Sequence, residues 1–230
     1  MCPLHLVLRP WMYKMADLYG SHLFRESDFM TIASFGPQTH MCVGLLGGSF
    51  NPAHQGHVYI SEMALKQMGL DQVWWLVSPQ NPLKSKKGMA PLEKRVKTAA
   101  QVVKNPKIRI TALETRLGTR YTADTLKALH MRYPNIRFVW IMGADNLATF
   151  HRWKDWQVIF NMCRIAIYHR PTYALKALSS ITAQRFRNKR LPARMAPVLK
   201  QKDNGNWIFL PIRGNTLSAT EIRNRLEHKE

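Results

Sequence analysis

The stretch Gly47-Gly48-Ser49-Phe50-Asn51-Pro52-Ala53-His54-Gln55-Gly56-His57 follows a short apolar run and opens a segment with helical spacing. Its two glycines allow a sharp turn and a close approach of backbone to ligand, and Pro52 restricts the loop. His54 and His57 lie three residues apart at the helix entry, so both imidazoles can face the crevice above the strand ends, where parallel α/β sheets bind ligands. There they can donate hydrogen bonds to phosphoryl oxygens. Metal binding by the two histidines is the less favoured alternative, because no third ligand lies nearby.

Outward from this stretch, short apolar runs alternate with longer segments of helical periodicity. That alternation predicts an α/β fold in which crossover helices connect the strands of a parallel sheet. The predicted strands span residues 42–46, 73–78, 108–113, 136–142, 164–168 and 207–210. The predicted helices span residues 57–68, closed by Gly69, and then 92–103, 123–132, 153–160 and, less clearly, 174–188.

Composition places the chain among ordinary globular proteins. At 230 residues it suits one α/β domain, and its 46% apolar and 21% charged residues exclude a disordered or collagenous chain. No apolar run reaches the roughly 18 residues that a membrane span needs, so no membrane partner is expected. The cysteines, at positions 2, 42 and 163, form no pair with metal-ligand spacing and suit a reducing compartment such as the cytoplasm.

Charge is the unusual quantity, because Lys and Arg exceed Asp and Glu by 20. This excess predicts a polyanionic partner, either the phosphates of a small ligand or a nucleic acid. Residues 1–40 are neutral, with three basic and three acidic residues and no clear period, so we interpret them as an extension of unclear role beside a single domain at 41–230. Residues 185–202 carry seven basic residues and no acid, which we interpret as a solvated face, with nucleic-acid contact as the less favoured alternative.

The last predicted helix begins at a capping box, Ser218-Ala219-Thr220-Glu221. Its free first-turn amides and the positive end of its dipole can hold a phosphate, although capping alone also explains the motif. Asp145, after the fourth predicted strand, can likewise accept hydrogen bonds from ribose hydroxyls or cap the next helix. Thr122 opens a helix whose amides suit a carboxylate.

The glycine-histidine stretch resembles the GGxFNPxHxGH signature of the nucleotidylyltransferase superfamily. Further motifs in the same order resemble those of its nicotinate-nucleotide adenylyltransferases: NPLK at 81–84 with Arg95 in the following helix, YTADTL at 121–126, GAD at 143–145 and SATEIR at 218–223. The resemblance spans nearly all of residues 41–226. It implies a Rossmann-like, doubly wound parallel sheet with helices on both faces, the nucleotidylyltransferase fold.

The resemblance also implies a role for each matching residue. Four residues would be catalytic and would neutralise charge on the α-phosphoryl group and the leaving pyrophosphate: His54, His57, Lys84 and Arg223. ATP would be bound by Gly47, Gly48, Ser49, Phe50, Asn51, Gly143, Asp145, Ser218 and Thr220. Nicotinate mononucleotide would be bound by Tyr121, Thr122 and Trp153, the last stacking on the pyridine ring. Packing in the core is the alternative for Trp153, whereas Trp74 and Trp75, inside a predicted strand, are interpreted as packing residues.

The implied reaction transfers the adenylyl group of ATP to nicotinate mononucleotide and yields nicotinate adenine dinucleotide and pyrophosphate, a step of NAD biosynthesis. Mg²⁺ would be held through the ATP phosphates, and nucleic acid is not expected as a partner. Nearby alternatives within the superfamily are adenylyl transfer to nicotinamide mononucleotide or to phosphopantetheine. A basic nucleic-acid-binding protein would explain the charge but not the glycine-histidine stretch. A homo-oligomer is compatible with the sequence, which does not define the oligomeric state.

Overall fold

The protein is represented by a computed structural model that describes residues 41–79, 88–169 and 174–212. The strands of these residues form one seven-stranded sheet in the order β3-β2-β1-β4-β5-β7-β6, and every neighbouring pair is parallel. The strands are β1 (Met41–Gly48), β2 (Gln72–Val77), β3 (Ile108–Thr111), β4 (Ile136–Gly143), β5 (Arg164–His169), β6 (Arg190–Leu191) and β7 (Trp207–Pro211).

Helices connect successive strands, as a parallel sheet requires. They are α1 (Gln55–Met68), α2 (Leu92–Val102), α3 (Leu113–Leu117), α4 (Thr122–Arg132), α5 (Ala144–Thr149), α6 (Trp156–Met162), α7 (Ala174–Leu178) and α8 (Ile181–Arg185). Short 3₁₀ helices span Phe150–Arg152, Arg187–Lys189 and Ala193–Gln201. None of the described helices is long and apolar enough to cross a bilayer.

Two adjacent tryptophans of β2 show that both faces of the sheet are covered. Trp74 and Trp75 point to opposite faces and are both fully buried. The Trp75 indole donates to Ser61 Oγ of α1 at 2.8 Å, whereas Trp74 packs edge-on against Tyr133, directly after α4. Helices α1 and α4 therefore cover opposite faces, which confirms the predicted doubly wound architecture and the interpretation of both tryptophans as packing residues.

Strand β1 lies between β2 and β4, so the connections on its two sides run in opposite directions across the sheet. In open α/β sheets such a reversal leaves a crevice at the carboxyl ends of the strands. Gly47 lies at this end, and a Cβ there would approach Cη2 of Trp140 in β4 to 2.7 Å. The glycine thus permits β1 and the Trp140 ring to pack closely beneath the crevice.

The structure corrects three predicted elements. The predicted strand 108–113 ends at Thr111, because residues from Leu113 form the short helix α3. The predicted helix 153–160 begins only at Trp156, since Asp155 is left-handed at φ 52° and Trp153 is extended. The predicted helix 174–188 is divided, because Ser180 caps a new helix by accepting from the Ala183 amide.

The basic stretch 185–202 is more ordered than a solvated face. It includes the edge strand β6 and the 3₁₀ helix Ala193–Gln201, whose Ala196 and Leu199 are buried in the core. Its arginines and lysines are mostly exposed, as expected, and Arg190 lies 5.5 Å from the ring centres of Trp207 and Phe209. The interpretation as a solvated face therefore holds for the charges but not for the backbone.

Candidate active site

The loop after β1 is anchored by the buried ring of Phe50. Phe50 is 1% exposed and has φ 47°, a conformation that a bulky residue rarely adopts. Its ring stacks on Trp75 with centroids 4.7 Å apart and planes 12° apart, and its centroid lies 4.8 Å from that of His57. Packing against the core therefore holds the loop in a strained turn and places it directly beside the histidines. Such strain is typical of a functional site.

His54 and His57 lie together at the start of α1, with ring centroids 3.9 Å apart. The Gly56 amide donates to Nδ1 of His54 at 3.1 Å, and the His54 amide donates to Nδ1 of His57 at 3.3 Å. A nitrogen that accepts a hydrogen bond carries no proton, so in this arrangement the proton of each ring lies on Nε2. The helix cap thus fixes both tautomers, and each ring presents an N–H donor at Nε2.

The helix that begins at these histidines adds to their preference for anions. α1 has 14 residues and no acidic residue in its first turn, so no side-chain carboxylate offsets the positive end of its dipole. Both imidazoles are half-buried, which weakens the screening of their interaction with a ligand. The strand end, the loop and the helix start therefore form a site suited to phosphate oxygens.

Asn51 and Arg95 hold this loop against the segment that precedes α2. The Asn51 amide nitrogen donates to the Gly88 carbonyl at 2.9 Å, and its oxygen accepts from the Ala90 amide at 3.2 Å. Arg95, only 2% exposed, donates to four backbone carbonyls around the same loop. Burial lowers the pKa of this guanidinium, although not to a value at which an arginine loses its charge.

Glu114 is a second buried ionisable group, and it lies near the carboxyl ends of the strands. It lies in α3, just beyond the end of β3, and is 6% exposed with its Oε2 atom unpaired. Burial raises the pKa of its carboxyl to about 7, while a hydrogen bond with Ser78 acts in the opposite direction. Ser78 also donates its amide to the Gly48 carbonyl at 2.9 Å, so Glu114 contacts the residue that follows β2 and pairs with β1.

The contribution of Glu114 to the free energy of unfolding is expected to fall as the pH rises. Its pKa is raised on folding, so its contribution is fully present below its unfolded pKa and is lost as the pH rises through about 7. Glu114→Gln lacks this titration, so the free energy of unfolding of the unmodified protein should fall by about 2 kcal/mol relative to the variant between pH 5 and pH 8. Urea unfolding of both proteins measures the difference, and parallel pH profiles would contradict the assignment.

Lys154 joins the start of α4 to the loop before α6. Its Nζ lies 3.1 Å from Oδ2 of Asp124 and 4.7 Å from the ring centre of Tyr121, the residue that precedes α4. Thr122 is the first residue of α4, as predicted, and no side chain caps this helix start. Adjacent to Lys154, the half-buried Trp153 packs on Phe150 with centroids 4.7 Å apart. Tyr121, Thr122 and Trp153 are thereby brought to one part of the molecule.

Asp145 lies in the first turn of α5, just after the carboxyl end of β4, and its side chain is exposed. The alternative in which it caps this helix is wrong, because the N-cap is Gly143 and no side chain caps the helix start. The Asp145 carboxylate lies against Gly143, where a Cβ would collide with it. Gly143 and Asp145 therefore stand at the end of the strand next to β1, with the carboxylate open to a ligand.

The remaining predicted site residues, Lys84, Ser218, Thr220 and Arg223, lie outside the described residues, and so does the predicted capping box. Sequence reasoning gave no role to Arg95 or Glu114. The sequence does contain a signal for Arg95, because this residue lies four positions before Ala99, on the buried face of α2. A charged residue at a core position of an amphipathic helix points to specific buried partners. The Glu114 environment depends on contacts with β2 that no local pattern reveals.

The family model described as cytidylyltransferase-like matches residues 45–225. A protein of Agrobacterium fabrum is 47% identical over 184 residues, covering 80% of this chain and 98% of its own length. One of Parvibaculum lavamentivorans is 50% identical over 183 residues, covering 80% and 91%. Both carry the name "Probable nicotinate-nucleotide adenylyltransferase".

Among solved structures, the nicotinic acid mononucleotide adenylyltransferase of Plasmodium falciparum, complexed with NaAD, superposes with a TM-score of 0.57. Its sequence identity is 17%, with 80% of this chain and 83% of that chain covered, so this likeness concerns the fold. The chain belongs to the cytidylyltransferase-like family and, among its members, to the nicotinate-nucleotide adenylyltransferases.

Proposed function

We propose that the protein transfers the adenylyl group of ATP to nicotinate mononucleotide, giving nicotinate adenine dinucleotide and pyrophosphate in NAD biosynthesis. The observation that carries this proposal is the histidine pair at the end of β1, whose Nδ1 atoms are occupied by the helix cap so that each Nε2 is a donor. The identity to the curated relatives supports the choice of reaction.

The chemistry requires no protein base. An oxygen of the mononucleotide 5′-phosphate, already ionised at neutral pH, attacks the α-phosphorus of ATP; the bond from that phosphorus to the bridging oxygen breaks, and pyrophosphate leaves. Catalysis then rests on in-line positioning and on neutralising charge. His54 and His57 would stabilise charge on the α-phosphoryl group and the leaving pyrophosphate by donating hydrogen bonds from Nε2, and Lys84 and Arg223 would neutralise it.

The ATP site we propose lies over the ends of β1 and β4. Gly47, Gly48 and the loop residues Ser49, Phe50 and Asn51 would form its floor, and the exposed Asp145 carboxylate would accept hydrogen bonds from the ribose. Ser218 and Thr220 would complete the phosphate cradle with the amides of their helix. Gly143 would allow the ligand to approach the end of β4.

The pyridine ring would be bound between Trp153 and the start of α4. Trp153 is half-buried and packs on Phe150, so a face of its indole can remain for stacking. The 11-residue helix α4 offers uncapped amides at Thr122 beside Tyr121, and an ionised nicotinate carboxylate gains more from such donors than a neutral amide does.

Mg²⁺ would enter with ATP. No group of three or more His, Cys, Asp or Glu side chains among the described residues could hold a metal ion, and the proposed nucleotide site is rich in donors. The ion would bind the phosphate oxygens and would supply charge neutralisation there. We also propose that the protein is cytoplasmic, because a reducing compartment suits the free, buried Cys42 and Cys163.

A version of the chain beginning at Met41 is expected to fold and to retain activity. Residues 1–40 carry no net charge and no clear periodicity, while β1 begins at Met41 and each of its residues already pairs with β2, β4 or both. The measurement compares soluble yield and specific activity with the full chain. Loss of soluble protein would show that the first 40 residues pack on the domain or form an interface.

Pyrophosphate release with ATP and each of three acceptors tests the function: nicotinate mononucleotide, nicotinamide mononucleotide and phosphopantetheine. Nicotinate mononucleotide should be the preferred acceptor, and phosphopantetheine should give no turnover. A parallel salt titration of nucleic-acid binding tests the remaining explanation of the net charge. Tight, salt-dependent binding of nucleic acid without turnover of any acceptor would replace the proposed enzyme with a nucleic-acid-binding protein.

A further inference from the structure

Arg95 is a buried cation whose partners are unusual. The four hydrogen bonds that it makes to described residues all go to backbone carbonyl oxygens: Nε to Ala90 at 2.9 Å, Nη1 to Ser49 at 2.6 Å and Ser78 at 2.7 Å, and Nη2 to Pro79 at 3.1 Å. Four of the five guanidinium N–H groups are thereby used. One side chain thus joins three separate segments of backbone.

These three segments all lie at the carboxyl ends of the strands, where the candidate active site is. Ser49 follows β1 directly and begins the loop that leads to the histidines, Ser78 and Pro79 follow β2, and Ala90 comes just before α2. Asn51 makes a second, independent connection, because its oxygen accepts from the Ala90 amide. Arg95 therefore binds the carbonyl of Ala90, and Asn51 binds its amide.

A buried guanidinium at this position carries a desolvation penalty that its hydrogen bonds to the loops must offset. Ala99, on the same face of α2, is fully buried in the apolar core, and an apolar residue at position 95 would pack there without the desolvation penalty that a buried charge carries. Burial does penalise this charge, since it lowers the pKa of Arg95. What the guanidinium supplies, and an apolar side chain cannot, is a rigid fork of donors between loops.

We propose that Arg95 is a positioning residue for adenylyl transfer, holding the loop from Ser49 to the histidine pair in a fixed position against the backbone at Pro79 and Ala90. This inference rests on the proposed function. Small displacements of charge-stabilising groups lower the rate of the chemical step strongly. Arg95 therefore acts through His54 and His57 and touches no substrate itself.

The variant Arg95→Lys tests the proposal, because it keeps the charge but replaces the fork by a single ammonium. At a temperature well below its melting point, its kcat should fall at least about tenfold. Its KM for nicotinate mononucleotide should stay within about threefold, because the proposed pyridine site lies on α4 and at Trp153. The matched control is Lys94→Met, an exposed lysine of the same helix, which should leave both constants unchanged.

A double-mutant cycle separates positioning from a general loss of stability. In the His57→Ala background, Arg95→Lys should lower kcat by a clearly smaller factor than in the unmodified protein, since one of the two groups that it positions is already gone. Equal losses in both backgrounds, or a lowered melting temperature with normal kcat, would overturn the proposal. Should Arg95→Lys not fold, Arg95→Gln takes its place, because the amide keeps hydrogen-bond donors at this position, and it must show the same non-additivity. Absence of turnover in the unmodified protein would instead overturn the proposed function and this inference with it.

Discussion

His57→Ala is expected to lower kcat by about 10²- to 10³-fold, the effect typical of removing one donor that stabilises charge in the transition state. The fold should survive, because α1 is retained and the ring is only half-buried. The measurement is the steady-state rate of pyrophosphate formation, together with a circular dichroism spectrum. His130→Ala, at the far end of α4, is the control and should retain kcat within about twofold. Normal turnover of His57→Ala would remove the central role given to this residue.

The tautomer assignment sharpens this expectation. Nδ1 of His57 accepts from the His54 amide, and Nε2 is the donor that faces the ligand in our account. A glutamine amide can reach the Nε2 position, whereas an asparagine amide reaches only the Nδ1 position. His57→Gln should therefore retain more kcat than His57→Asn, by about an order of magnitude. The reverse order would show that Nδ1 is the atom that serves the substrate.

Nicotinate mononucleotide is expected to exceed nicotinamide mononucleotide in kcat/KM by at least about tenfold, a difference of about 1.4 kcal/mol. An ionised carboxylate forms stronger hydrogen bonds with the first-turn amides of α4 at Thr122 than an amide oxygen does. Initial rates with each acceptor at saturating ATP give the ratio. Equal use of the two mononucleotides would contradict the acid-specific site and leave adenylyl transfer intact.

Trp153→Ala separates stacking from carboxylate recognition. Either pyridine ring can stack on the indole, so the variant should lose kcat/KM for both acceptors while keeping their ratio. Trp207→Ala is not a useful control, because that side chain is buried in the core. Trp156 is half-buried like Trp153 but packs edge-on against Phe186, with ring centroids 5.8 Å apart, so Trp156→Phe provides the matched control. An unchanged kcat/KM in Trp153→Ala would assign that residue to packing.

The fold was largely predictable because a parallel sheet buried on both faces leaves a strong signal. Strands such as β1 and β4 are near-continuous apolar runs, and Gly69 at φ 59° ends α1 where the sequence predicts. The errors occurred where local geometry overrides periodicity. Asp155 is left-handed and delays α6, and the two-residue strand β6 is too short to produce a period.

The candidate site likewise has residues that the sequence could predict and residues that it could not. His54 and His57 could be found from their spacing, because residues three apart at a helix start are neighbours in space. Arg95 and Glu114 could not be given roles, since their partners Ser49, Ser78 and Pro79 are far away in sequence and mostly backbone atoms. A sequence shows where a charge lies, but only the folded chain shows which carbonyls surround it.

The central claim is direct adenylyl transfer between two bound substrates, and product stoichiometry tests it most directly. Purified protein is incubated with ATP, Mg²⁺ and nicotinate mononucleotide, and pyrophosphate and dinucleotide are measured together. Our account predicts equal amounts of nicotinate adenine dinucleotide and pyrophosphate. When the mononucleotide is omitted, it predicts no exchange of labelled pyrophosphate into ATP and no net release of pyrophosphate. Exchange without the mononucleotide would indicate an adenylylated protein, and pyrophosphate without dinucleotide would indicate a different reaction. Either result would contradict the account.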